Sequence, residues 1–65
     1  MTIGEKINEL RKEKNMTLLE LSKKSGVSAV TLTHWKNGDT KPQLVALSKV
    51  ADALDCDLSE LRKYF

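Results

Sequence analysis

Cysteine is nearly absent. Cys56 is the only one, so no internal disulfide can form, and neither a Cys₂His₂ nor a Cys₄ zinc site can be assembled. A lone thiol favours a reducing compartment. Long apolar runs are missing too. None approaches the roughly 20 residues that a membrane-spanning helix needs. The opening stretch Met1-Thr2-Ile3-Gly4-Glu5 lacks the apolar region of a secretory signal. Val, Ile, Tyr and Phe are too sparse and scattered to build strands. A chain of 65 residues has room for one domain, residues 1–65, and little room for a deep substrate pocket. His34 is the only histidine and has no triad partner at a recognisable spacing, so metal and general-base roles are not expected. Neither catalysis nor a cofactor is expected.

Apolar residues make up 40% of the chain and charged residues 31%, a balance that suits a soluble globular protein and not a disordered tail. The net charge of +2 is unevenly spread. Residues 1–41 carry eight Lys/Arg against five Asp/Glu, whereas residues 42–65 carry three against four. A nucleic-acid face, if there is one, belongs in the basic N-terminal two-thirds.

Apolar residues recur at helical spacing throughout. A first helix is expected over about Ile3–Lys14, with Ile3, Ile7 and Leu10 on one face, Thr2 and Glu5 as a capping box, and Asn15 as its stop. A second runs over about Leu18–Ser25, capped by Thr17 and Glu20, stapled by Met16 and Leu21, and ended by Gly26. A third runs over about Ala29–Lys36 behind Ser28, with Val27 and Leu32 as staple, before the turn cluster Asn37-Gly38-Asp39-Thr40. A fourth starts near Pro42 and reaches about Leu54, with Leu44, Leu47, Ala51 and Leu54 as its buried stripe. A fifth follows Asp57, which forms a third box with Glu60; Leu58, Leu61 and Phe65 share one side. The fold class is all-α.

The segment from Leu18 to Asn37 has the pattern of two helices crossing steeply at a tight turn. Small Ser22 lets the helices approach, and Gly26 supplies positive φ. Leu21, Val27, Leu32 and Trp35 face inward and set the angle. Here the sequence resembles the lambda-repressor-like, Cro/XRE-type helix-turn-helix family. Ile3-Gly4-Glu5-Lys6-Ile7 through Leu10-Arg11-Lys12-Glu13-Lys14 is similar to that family's first helix, and Ser25-Gly26-Val27-Ser28 to its turn. Trp35-Lys36-Asn37-Gly38 with Lys41-Pro42 resembles the segment after its recognition helix. Leu47, Ala51-Asp52-Ala53-Leu54 and Leu58-Ser59-Glu60-Leu61 match its last two helices.

The resemblance implies a compact five-helix bundle whose third helix enters the major groove, usually as a dimer on paired half-sites. It implies a bacterial or phage-encoded cytoplasmic regulator of transcription, a repressor by occlusion of polymerase, whose partner is a double-stranded DNA operator. It places Ala29, Val30, Thr33 and His34 at base edges. Thr33 and His34 would hydrogen-bond there, and Ala29 and Val30 would pack on thymine methyls. Thr17, Leu18, Ser28, Thr31, Lys36, Asn37, Thr40 and Lys41 fall to the DNA backbone. Trp35 is expected in the core and not as a base-stacking platform. Cys56 is expected as a small core residue.

Four departures from the family pattern stand out. Leu18 replaces a frequent Gln, Ala29 and Val30 replace polar residues, Lys36 replaces a Glu that pairs with the helix-1 arginine, and Asp55 replaces a Gly. A left-handed Asp55 would cost about 1 kcal/mol relative to Gly. Two questions stay open on the sequence. The apolar residues Leu18, Ala29 and Val30 could form a protein-binding face on the same fold. A fifth-helix patch of Leu58, Leu61, Tyr64 and Phe65 could join two copies or fold inward.

Overall fold

The computed structural model describes residues 2–64. Local capping sets where its helices begin. Thr2 Oγ1 accepts from the Glu5 amide at 3.1 Å, and the Glu5 carboxylate accepts from the Thr2 amide at 2.9 Å. This box opens α1, Ile3–Glu13. Thr17 and Glu20 repeat it at 3.1 Å in both directions and open α2, Leu18–Ser25. These hydrogen bonds hold the Glu5 and Glu20 carboxyls below their ordinary pKa. Ser28 accepts from the Thr31 amide at 3.1 Å at the start of α3, Ala29–Asn37.

Helices α4 and α5 differ from the sequence expectation. Helix α4 spans Leu44–Ala53 and does not include Pro42. Gln43 is extended, with φ −76° and ψ 153°, and serves as the N-cap without a side-chain hydrogen bond. Pro42 is buried ahead of it. Leu44 therefore leaves the buried stripe, being 49% exposed, and Val50 joins Leu47, Ala51 and Leu54 at helical spacing. Helix α5, Leu58–Arg62, lacks the third box. The short Asp57 side chain reaches only the Ser59 amide, at 3.3 Å.

Four left-handed residues mark helix ends: Asn15 (φ 53°), Gly26 (77°), Gly38 (79°) and Asp55 (54°). After Asn15, Gly38 and Asp55, the next amide returns to a helix carbonyl five residues back. The pairs are Met16 to Arg11, Asp39 to His34 and Cys56 to Ala51, at 3.0–3.1 Å. After Gly26 the pattern changes. The Val27 amide donates instead to Ser25 Oγ at 3.1 Å, and Ser25 is the buried polar residue of the core. That hydroxyl satisfies an amide which would otherwise be buried without a partner inside the α2–α3 turn.

The core joins Ile3 and Ile7 of α1, Leu21 of α2, Val27, Leu32 and Trp35 about α3, Leu47, Val50, Ala51, Ala53 and Leu54 about α4, and Leu61 of α5. Leu10, Met16, Leu18, Cys56 and Leu58 pack partly buried against it. Trp35 is 3% exposed and is a core residue. The closest helix approach for which the structure gives a steric reason is α1 on α3. A Cβ at Gly4 would collide with the backbone of Trp35 and Lys36. The same contact is tied by Thr2 Oγ1 donating to the Lys36 carbonyl at 3.2 Å. Together these seat α1 against α3 and fix which side of α3 faces out.

Candidate nucleic-acid interface

With Leu32 and Trp35 turned inward, helical geometry turns Val30, Thr33 and His34 outward. Val30 is 67% exposed, Thr33 and His34 are exposed, and Ala29 is half-buried. All four line one shallow groove of about 280 Å³, whose remaining wall is Asn37 and Asp39. The four residues expected at base edges therefore share one surface.

Their hydrogen-bonding capacity is narrower than their residue types suggest. Thr33 Oγ1 donates to the Ala29 carbonyl at 2.9 Å, so its proton is used and its lone pairs remain. His34 Nδ1 lies 3.3 Å from Asp39 Oδ2. A proton on Nδ1 fits that contact and leaves Nε2 as the acceptor nitrogen. Asp39 was not singled out by sequence reasoning beyond its place in a turn cluster. Its role needs α3 and the following turn to fold back on each other.

The residues expected at the DNA backbone fall into two further depressions and two caps. Thr31, Thr40 and Lys41 meet beside His34 and Gln43 in a depression of about 420 Å³. Leu18, Lys36 and Asn37 meet on the other side of α3, in a cleft of about 240 Å³ that Arg11 and Lys12 also line. Thr17 and Ser28 lie in neither; they cap α2 and α3. The Ser28 and Thr31 hydroxyls are 2.8 Å apart and engage each other. Lys36 and Lys41 are exposed. Among the described residues Lys6–Glu9 is a close ion contact at 3.5 Å, and His34–Asp39 is a hydrogen bond that becomes one only with a protonated imidazole.

The apolar alternative loses ground here. Leu18 packs against the core and Ala29 is half-buried, which leaves Val30 as the strongly exposed member of that face. The fifth-helix patch also changes. Leu61 is fully buried in its own core, and Leu58 is half-buried. Tyr64 is 36% exposed, with Lys6 Nζ 5.8 Å from its ring centre. Phe65 lies outside the described residues. Burial pushes the half-buried Cys56 thiol up from its ordinary pKa. No helix among the described residues is long and apolar enough to cross a membrane.

The family described as helix-turn-helix matches residues 7–61. The HTH-type transcriptional regulator SinR of Bacillus subtilis is 38% identical over 60 residues, covering 91% of this chain and 54% of the relative. The immunity repressor protein of Bacillus phage phi105 is 33% identical over 61 residues, covering 94% of this chain and 42% of the relative. The HTH-type transcriptional regulator DicA of Escherichia coli is 42% identical over 53 residues, covering 77% of this chain and 39% of the relative. The chain thus spans about half the length, or less, of these relatives. On this match, on the five helices among the described residues and on the Gly26 turn that sets α2 against α3, the chain belongs to the Cro/XRE-type helix-turn-helix family.

Proposed function

We propose that this chain is a sequence-specific double-stranded DNA-binding domain of a transcriptional regulator, and that it represses by occlusion, with α3 in the major groove. The observation that carries the reading is the single outward groove shared by Ala29, Val30, Thr33 and His34 on the helix after the turn. The similarity to a transcriptional regulator and an immunity repressor supports the same direction.

In this reading the labour is divided. Thr33, with its proton given to Ala29, accepts from adenine N6 or cytosine N4. His34 reads through Nε2 while Asp39 holds Nδ1. Val30 packs on a thymine methyl. Thr17, Leu18, Ser28, Thr31, Lys36, Asn37, Thr40 and Lys41 follow the backbone, through lysine charge and through the amides that open α2 and α3. The protein works in the cytoplasm, on the nucleoid when bound.

Selection from a random duplex pool tests the reading. One enriched half-site sequence is expected, with affinity falling against log[salt] at about −0.9 per phosphate neutralised. Lys41→Ala should flatten that slope by about one unit and weaken all sequences alike. No enriched sequence together with a flat salt dependence would overturn it in favour of a protein-binding role.

A further inference from the structure

The outer groove of α3 carries a charge of the wrong sign for DNA. Asp39 lines it, and no Lys or Arg does. A carboxylate there repels phosphate and costs affinity for any duplex. Its placement is nevertheless fixed from two directions. Gly38, left-handed at φ 79°, turns the chain back on α3. The Asp39 amide then donates to the His34 carbonyl at 3.0 Å, and Asp39 Oδ2 lies 3.3 Å from His34 Nδ1. Both side chains keep about half of their surface open to solvent. Among the described residues no Lys or Arg pairs with the Asp39 carboxylate, and the imidazole is its close side-chain partner.

A neutral imidazole holds one proton, on Nδ1 or on Nε2, and the nitrogen without it accepts. A carboxylate can only accept. Beside Asp39 the proton therefore belongs on Nδ1, and Nε2 is the acceptor. Thr33, one residue earlier, offers acceptor lone pairs as well, because its proton goes to the Ala29 carbonyl. In the major groove the donors are adenine N6 and cytosine N4, whereas guanine O6 and N7 and thymine O4 are acceptors. An acceptor set against an acceptor leaves both unpaired, at a cost of roughly tenfold in affinity. The opposite tautomer of His34 would invert the choice.

We propose that Asp39 determines which base atoms His34 reads: it keeps the imidazole proton on Nδ1 and thereby directs His34 to an exocyclic amino group, adenine N6 or cytosine N4. Asp39 is a positioning residue and acts through His34. The assignment rests on the DNA-binding reading above. It accounts for a carboxylate in a groove where a lysine would serve affinity better.

The test begins without DNA. His34 is the only histidine, so the proton–nitrogen correlation spectrum of the imidazole reports on it alone. At about pH 8, where ordinary imidazole is neutral, the free protein should show a protonated Nδ1 and a bare Nε2. Asp39→Ala should move the proton toward Nε2, and Asp39→Asn, which keeps an acceptor oxygen, should hold much of it on Nδ1. The second arm uses an operator selected from random duplexes. The base pair whose preference is lost in His34→Ala is the one that His34 reads. Replacing its adenine or cytosine by an analogue without the exocyclic amino group should weaken wild-type binding about tenfold, and removing the purine N7 should not. Asp39→Ala should lose that sensitivity and yet bind random duplex more tightly, a pair of changes that a loosened fold would not produce. Given a selected operator, three results overturn the proposal and leave the DNA reading standing: an Nε2–H tautomer in the wild type, an unchanged tautomer in Asp39→Ala, or no response to loss of the amino group. Failure to select any sequence removes the DNA reading, and this proposal with it, whatever the tautomer.

Discussion

Helix α3 carries two unlike sides within nine residues. Its inner side presents Leu32 and Trp35, 4% and 3% exposed, to α1 and the rest of the core. Its outer side presents Val30, Thr33 and His34, whose polar atoms bond only within α3 and the turn behind it. Stability on the inner side comes from area removed from water and from close packing. The outer side adds little to stability, so its residues are free to be chosen for what they touch. A substitution on one side should therefore change melting, and on the other side binding.

The largest expected effect is on the inner side. Trp35→Ala should cost about 3–5 kcal/mol, a large share of a small domain's stability. Denaturant unfolding checks this, with blue-shifted wild-type emission as its companion. Gly4→Ala is next, at about 1–3 kcal/mol of overpacking. Its Cβ meets the α3 backbone, which cannot swing away as a side-chain end can. Thermal melting reads the loss.

Thr33→Ala and His34→Ala should each remove about 1–3 kcal/mol of discrimination between operator and random duplex. Melting should stay near wild type and non-specific affinity should be kept. The ratio of the two affinities at one salt concentration measures it. An unchanged ratio for both variants would erase the distinction between the two sides.

Gly26→Ala sharpens the contrast with Gly4. Nothing stands within 4 Å of its Cβ position, so the cost is backbone strain at φ 77° alone, about 1 kcal/mol. Gly26→Asn should recover part of it in the same melting experiment.

The smallest effect is one of pH. The Glu20 carboxyl is depressed by its hydrogen bonds from Thr17. Its contribution is present above the unfolded value, near 4.5, and is lost as pH falls from there through the lower folded value. Glu20→Gln keeps a capping side chain but cannot titrate. It should flatten the melting profile below about pH 4.5 and leave neutral pH almost unchanged.

The parts of the fold written locally were legible in the sequence. Thr2 with Glu5 and Thr17 with Glu20 announce helix starts because both partners lie three residues apart. Gly26 and Asn15 announce ends because few residues tolerate positive φ. Pro42 misled by two residues, since proline suits a first helical turn as well as the stretch before one. What needed folding to appear was non-local. Nothing near Gly4 in sequence hints that the α3 backbone will press on it. Thr33 and His34 were legible as outward residues of α3. The Ala29 carbonyl and Asp39 that restrict their chemistry were not, because those bonds exist only once α3 and its exit turn have formed.

Three of the turns between helices share one order of residue types. A left-handed residue is followed by an apolar residue and then by an N-cap: Asn15-Met16-Thr17, Gly26-Val27-Ser28 and Asp55-Cys56-Asp57. Asn15 and Asp55 share one backbone setting, with the next amide returned to a carbonyl five residues back, whereas the amide after Gly26 goes to the Ser25 hydroxyl. Asn15 and Asp55 hold strain that glycine would release, and both sit outside the grooves about α3. A thermostable version of this domain can therefore be sought at those two hinges while every side chain of the α3 grooves stays as it is.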